Sequence, residues 1–253
     1  MSAFLQSDSP LQPKDRLIFA LDYPGLEEAK KAVVALKNHV GLFKVGLELF
    51  VSSGPGVLGA IRDAGGSGIF LDLKFHDIPA TVQAAVRSAA AHQVQFVTVH
   101  ASGGKEMLRT VVDHCPKVTK ILAVTVLTSS SREEMREIGM DGNLDILGLV
   151  LQRARMAKAA GCAGVVCSGA EVRPVKEQAG RELIAVVPGV RPEWATVHND
   201  DQARVATPRQ AMRNGADYIV VGRPIREAKD PSQAADRIVE EIKTALQDPS
   251  AHP

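Results

Sequence analysis

The chain has 253 residues, 45% hydrophobic and 23% charged, an ordinary globular make-up whose length suits one large barrel or two small domains. A formal net charge of +1 gives no general pull toward nucleic acid or an anionic membrane, and 4% aromatic content argues against a stacking platform for single-stranded nucleic acid. No apolar run is long enough to span a bilayer, and the opening MSAFLQSDSPLQPKDR lacks the charged-then-apolar pattern of a signal peptide, so a cytoplasmic protein is expected.

Taken in chain order, short β-branched runs alternate with longer helical patterns. The expected strands are Leu17 to Leu21, Leu42 to Gly46, Ile69 to Leu73 and Phe96 to His100, then Ile121 to Leu127, Gly164 to Ser168, Leu183 to Gly189 and Tyr218 to Gly222. Between them, LEEAKKAVVALKN places Ala29, Val33 and Leu36 on one stripe, and PATVQAAVRSAAAHQ opens with Pro at a first-turn position. NLDILGLVLQRARMAKAAG stops at Gly161, and PSQAADRIVEEIKTALQ closes the chain amphipathically. Strands alternating with helices imply parallel pairing, and eight repeats match an α/β fold of the (β/α)₈ TIM-barrel type, a single domain over 1–253 with a core at about 15–246 and short polar tails. An open doubly wound sheet is the alternative, but no glycine-rich dinucleotide turn follows LIFAL.

In such a barrel the chemistry sits at the C-terminal strand ends and the loops after them. Those ends carry Asp22, Lys44, Asp72 with Lys74, His100, Thr128 with Ser129, Arg191 and Arg223. One charge at a barrel end is readily a structural ion pair. Four charges within three neighbouring strands point to function, because ionisable groups seldom accumulate in enclosed positions without a use.

GIFLDLKFHDIPATV concentrates the question. Side chains alternate along a strand, so Asp72 and Lys74 share the inward face with Cα atoms roughly 6.5 Å apart, while Leu71 and Leu73 turn toward the helices. Lys44 on the next strand can reach the same mouth, and Asp77 lies past the strand end. Lys44, Asp72, Lys74 and Asp77 would form an array of alternating sign in which each charge stabilises the charged form of its neighbours.

A phosphate grip is expected at the last two strands. VVGRPI ends a strand in Gly222 and Arg223 with Pro224 opening a helix, a suitable setting for an anion. VVPGVRP supplies Arg191, and the long connection after it carries Gln202, which could close onto the same phosphate. Trp194 in this connection is expected to pack against the body. A magnesium site from Asp72, His76 and Asp77 is conceivable, but Lys44 and Lys74 on that face would repel a cation, so no metal is expected. His100 reads as a hydrogen-bonded barrel-end histidine. Cys115, Cys162 and Cys167 lack CxxC spacing and read as reduced, buried side chains.

LDLKFHDIPATV, FALDYPG, FKVGLELF, VTVHASGG, AVTVLTS, VVPGVRP, DQARVATP and YIVVGRPI, in this order from about Leu17 to Arg226, closely resemble the bacterial orotidine 5′-phosphate decarboxylases. The D-x-K-x-x-D signature followed by Ile-Pro is the specific part. The resemblance implies cofactor-free loss of CO₂ from orotidine 5′-monophosphate to give UMP in pyrimidine biosynthesis. It implies that Asp72 stands against the substrate carboxylate and Lys74 protonates C6, with Lys44 and Asp22 on the ribose hydroxyls. Ser129 and Thr128 would read the pyrimidine edge, and Arg191, Gln202, Gly222 and Arg223 would hold the phosphate. It further implies a homodimer in which Asp77 and Thr81 reach into the partner's site. The nearest rivals are magnesium-dependent sugar-phosphate enzymes that resemble this chain in D-x-K-x-x-D but typically carry Glu where this chain has Lys44. A non-catalytic nucleotide sensor on the same barrel is the rival from another class.

Overall fold

The computed structural model describes residues 11–139, 145–195 and 204–248. A closed barrel of eight parallel strands runs in sequence order: β1 Leu17–Ala20, β2 Leu42–Val45, β3 Ile69–Phe75, β4 Phe96–His100, β5 Lys120–Val124, β6 Gly164–Val166, β7 Ile184–Val187 and β8 Tyr218–Val221, with β8 pairing back onto β1. The main covering helices include α1 Leu26–Leu36, α4 Pro79–Ala91, α5 Gly104–His114, α7 Ile146–Ala159, α8 Val172–Ala179 and α11 Pro231–Gln247. The other α-helices of the described residues are α2 Leu47–Ser53, α3 Gly56–Asp63, α6 Arg132–Glu137, α9 Pro208–Arg213 and α10 Arg223–Arg226.

Strand alternation sorts the apolar residues into two cores. One member of each pair turns outward under the helices, as with Phe19, Phe43, Leu71, Val97 and Ile219. The other turns inward, as with Ile18, Leu42, Phe70, Phe96, Leu122, Val186, Tyr218 and Val220. Phe70, Phe96 and Tyr218 meet edge-on inside the barrel, with centroids 5.9 and 5.2 Å apart. This plug makes the barrel interior a packed solid, so a ligand can enter only above it. At Gly164 a Cβ would stand 2.4 Å from the Ile184 carbonyl oxygen, which reserves that position in β6 for glycine.

All eight strands stand where the sequence placed them, with shifted ends. β5 stops at Val124, and Thr125 just beyond it donates both its hydroxyl and its N–H to the Val166 carbonyl, at 2.8 and 3.2 Å. Thr128 and Ser129 are therefore loop residues. α7 begins at Ile146, where Asp145 caps it by accepting the Gly148 N–H at 2.6 Å, and the expected start at Asn143 lies outside the described residues. α10 begins one residue before Pro224. Trp194 packs against α11, its Nε1 donating to Glu241 at 2.7 Å and the Arg237 guanidinium lying 4.5 Å from its ring centroid. Cys162 and Cys167 are free and buried, as expected, but Cys115 is only half-buried at the end of α5.

Candidate active site

A cavity of about 520 Å³ opens above the aromatic plug. Ala20, Phe70, Val166 and Val220 form its apolar floor. Asp22, Lys44, Asp72 and Lys74 line it from the ends of β1, β2 and β3, Thr128 and Ser129 from the loop after β5, and Arg191, Gly222 and Arg223 from the segments after β7 and β8. Nine of the residues singled out in the sequence thus converge on one space. Asp77 and Thr81 do not: both are exposed outside it, and the Asp77 carboxylate accepts the Ile78 N–H at 2.6 Å. Gln202 lies outside the described residues.

The charged side is a chain of ion pairs. Lys44 Nζ donates to Asp22 Oδ1 at 3.0 Å and lies 3.8 Å from Asp72 Oδ2. Lys74 Nζ donates to the same Asp72 oxygen at 2.9 Å. Asp72 therefore sits between two ammonium groups, and it is enclosed: its side chain and that of Lys44 are 12% exposed, against 49% for Asp22. Burial pushes the Asp72 carboxyl up. The Lys44 and Lys74 charges and hydrogen bonds from Lys74 and Thr98 outweigh it and hold the group below the ordinary carboxylate range.

The geometry of β3 explains how two neighbouring charges reach one mouth. Leu71 pairs with Val97 and Phe75 with Val99, so four steps along β3 match two along β4. Two extra residues are accommodated between these pairings, and an even number preserves the inward–outward alternation. Leu71, Leu73 and Phe75 still pack outward, as the sequence predicts for the first two. The turn is made at Lys74, which adopts φ 50°. A left-handed conformation costs a non-glycine residue about 1–2 kcal/mol and is retained where the surroundings enforce it. The Lys74 N–H finds its acceptor in Thr98 Oγ1 at 2.9 Å.

Several site residues were not read from the sequence. Thr98 looks like an ordinary strand threonine in FVTVH, yet it is fully buried and bonded to both Asp72 and Lys74. Arg226 lines the cavity and donates to the Asp22 carbonyl at 2.5 Å, fixing the loop after β1. Its spacing, three residues after Arg223 on a helix, was the available signal. Leu127 and Pro188 enter from loops whose shape the sequence does not specify. His100 stands at the end of β4 with its ring 5.5 Å from that of His76. Burial, then His76, Lys74 and Arg153, lower its pKa against the opposing pull of Asp72.

A family model described as Orotidine 5'-phosphate decarboxylase / HUMPS family matches residues 15–238. An orotidine 5′-phosphate decarboxylase of Desulfosudis oleivorans is 51% identical over 237 residues, 92% of this chain and 95% of that protein. One of Anaeromyxobacter dehalogenans is 47% identical over 230 residues, 90% and 98% of the two chains. The crystal structure of orotidine 5′-phosphate decarboxylase from Lactobacillus acidophilus superposes with a TM-score of 0.77 at 38% identity, covering 89% of this chain and 98% of that one. With a closed barrel, a charged mouth at its strand ends and this extent of similarity, the chain belongs to the orotidine 5′-phosphate decarboxylase / HUMPS family.

Proposed function

We propose that this chain removes CO₂ from orotidine 5′-monophosphate to give UMP, with its own side chains and no metal or organic cofactor. The observation that carries the reading is the run Asp22–Lys44–Asp72–Lys74 along the wall of a cavity that Arg191 and Arg223 also line. The two arginines suit a phosphate at one end. The acid–base wall then falls at the reacting end, with Thr128 and Ser129 beside the pyrimidine edge.

The chemistry follows from the charges. Breaking the C6–carboxylate bond leaves an electron pair on C6 with no electron sink. Lys74 is positioned to stabilise that pair and to transfer a proton to it, so that the products are CO₂, UMP and a neutral amine that regains its proton from solvent. Asp72, ionised and enclosed, opposes the substrate carboxylate and is relieved as CO₂ departs. Lys44 and Asp22 hold the ribose hydroxyls and orient Asp72. Because Lys44 and Asp72 are already fixed, little reorganisation accompanies the reaction.

Asp77 and Thr81 act in a homodimer, each reaching the partner's cavity. Their exposure, their position outside their own chain's cavity, and the exposed Ile78 between them support this, as do Leu47 and Val51 on α2, after the neighbouring strand. The reaction belongs in the cytoplasm, and no helix among the described residues is long and apolar enough to cross a membrane.

A magnesium-assisted reaction on a sugar phosphate is the second reading within this family. The donor set disfavours it, because two ammonium groups contact the one enclosed carboxylate that would serve as ligand. The test is to treat the protein with EDTA, add orotidine 5′-monophosphate and follow its absorbance. Full turnover in EDTA is expected. Loss of activity restored by magnesium would refute the metal-free reading.

A further inference from the structure

We propose that Thr98 is a positioning residue of this site, locking the Asp72 carboxylate and the left-handed backbone of Lys74 to each other through one hydroxyl. The proposal rests on the decarboxylase reading for its effect on turnover, but not for the contact itself.

The argument starts from proton counting. A threonine hydroxyl has one hydrogen to give and lone pairs to receive. The Lys74 N–H can only donate, and it points at Thr98 Oγ1 from 2.9 Å. The hydroxyl's single proton is therefore committed elsewhere, and Asp72 Oδ1 lies 2.9 Å away. This orientation needs Oδ1 as an acceptor, so the bond favours the carboxylate form of Asp72, the stronger acceptor. It also leaves Oδ2 for Lys74 Nζ at 2.9 Å and Lys44 Nζ at 3.8 Å. Each Asp72 oxygen thus has its own partners, and the plane of the carboxylate is fixed.

The second role is at the backbone. Where β3 carries two extra residues relative to β4, the regular ladder has no place for the Lys74 N–H. Thr98, facing inward between Phe96 and His100 and wholly buried, supplies the acceptor that β4's main chain does not. It thereby supports the φ of 50° that aims the lysine at Asp72. Thr98 itself is not among the residues lining the cavity. Its influence passes through Asp72 and Lys74, so the effect belongs in kcat and not in ligand affinity.

The groups around Asp72 are Lys44 from β2, Lys74 from β3 and His100 from β4, with Asp22 acting through Lys44. Thr98→Val keeps the shape and the β-branch but removes the hydroxyl. Thr98→Ser keeps the hydroxyl. In Thr98→Val, kcat should fall at least about tenfold, the worth of a hydrogen bond to a charged group, with KM and UMP affinity little changed. NMR titration of the Asp72 carboxyl, without substrate, should show its pKa raised in Thr98→Val and restored in Thr98→Ser. If Thr98→Val does not fold, Thr98→Cys, with a similar volume and a weak donor, takes its place. The proposal is overturned if Asp72 titrates alike in wild type and Thr98→Val, if kcat is unchanged, or if Thr98→Ser is as impaired as Thr98→Val. Should the wild type fail to consume orotidine 5′-monophosphate, the functional reading falls alone, and the Asp72 titration still decides whether Thr98 holds it.

Discussion

Lys74 Nζ lies 2.9 Å from Asp72 Oδ2, and of the two side chains the carboxylate is the more enclosed, 12% exposed against 30%. Both line the cavity, the ammonium as the more accessible of the two and the carboxylate held in place by Lys44 and Thr98. A proton donor that remains accessible and a fixed anion beside it is the arrangement a carbanion-forming reaction needs.

Lys74→Ala should remove the donor without dismantling the pocket, because Asp72 keeps Lys44 and Thr98. Turnover should fall by about 10²–10⁴-fold or more, the usual worth of a general acid, while calorimetry shows UMP binding largely retained. Decarboxylation at the wild-type rate would show that Lys74 is not the acid. Loss of UMP binding would show that it serves the pocket's structure.

Arg191 and Arg223 line the cavity from the segments after β7 and β8, whereas Lys44, Asp72 and Lys74 line it from β2 and β3. Arg223→Ala should weaken UMP binding by about tenfold to a hundredfold, as expected for a lost charge-assisted hydrogen bond, and leave uridine binding unchanged. Arg191→Ala should behave likewise. Equal losses for UMP and uridine would remove the phosphate from these segments.

The parts that could be read from the sequence are those where residue type conflicts with surroundings. Lys44, Asp72 and Lys74 stand out because each is a charge in an apolar run. Thr98 does not, because threonine is an ordinary strand residue and its hydroxyl matters only once the β3–β4 register is known. The same register hid the left-handed Lys74: alternation put the side chain on the correct face, and the backbone route to it depends on a partner strand. The eight strands were legible from their β-branched runs, whereas β5's end at Val124 is marked by no change of residue type in ILAVTVL. Short helices such as α6 and α10 have too few residues for a period to show.

His100 gives a pH prediction with a definite sign. Its pKa is lowered by burial first, then by His76, Lys74 and Arg153, so the unfolded chain takes up a proton before the folded one does. The stability His100 contributes is therefore complete above its unfolded pKa of about 6.5 and is lost as the pH falls from there through the folded value. Urea unfolding at pH 8 and pH 5.5 should show wild type losing stability relative to His100→Gln on acidification. A constant difference between the two proteins across that range would contradict the assignment.

Asp77 offers the sharpest test of the proposed shared site, because it is not among the residues lining its own chain's cavity. It is exposed, it accepts the Ile78 N–H at 2.6 Å, and Ile78 beside it is 66% exposed. Exposed apolar side chains flanking polar ones suit a surface that a second copy covers. If Asp77 completes the partner's cavity, Lys74→Ala and Asp77→Ala homodimers are both inactive, but for different reasons. In a mixed dimer one cavity receives both defects, and the other receives a wild-type Lys74 and a wild-type Asp77. Mixing the two inactive proteins should therefore restore activity, approaching one working site per heterodimer, as the heterodimer fraction rises. That fraction can be followed by differential tagging and native mass spectrometry. If verified heterodimers remain inactive, Asp77 serves its own chain or none, and the cavity must be complete within a single barrel.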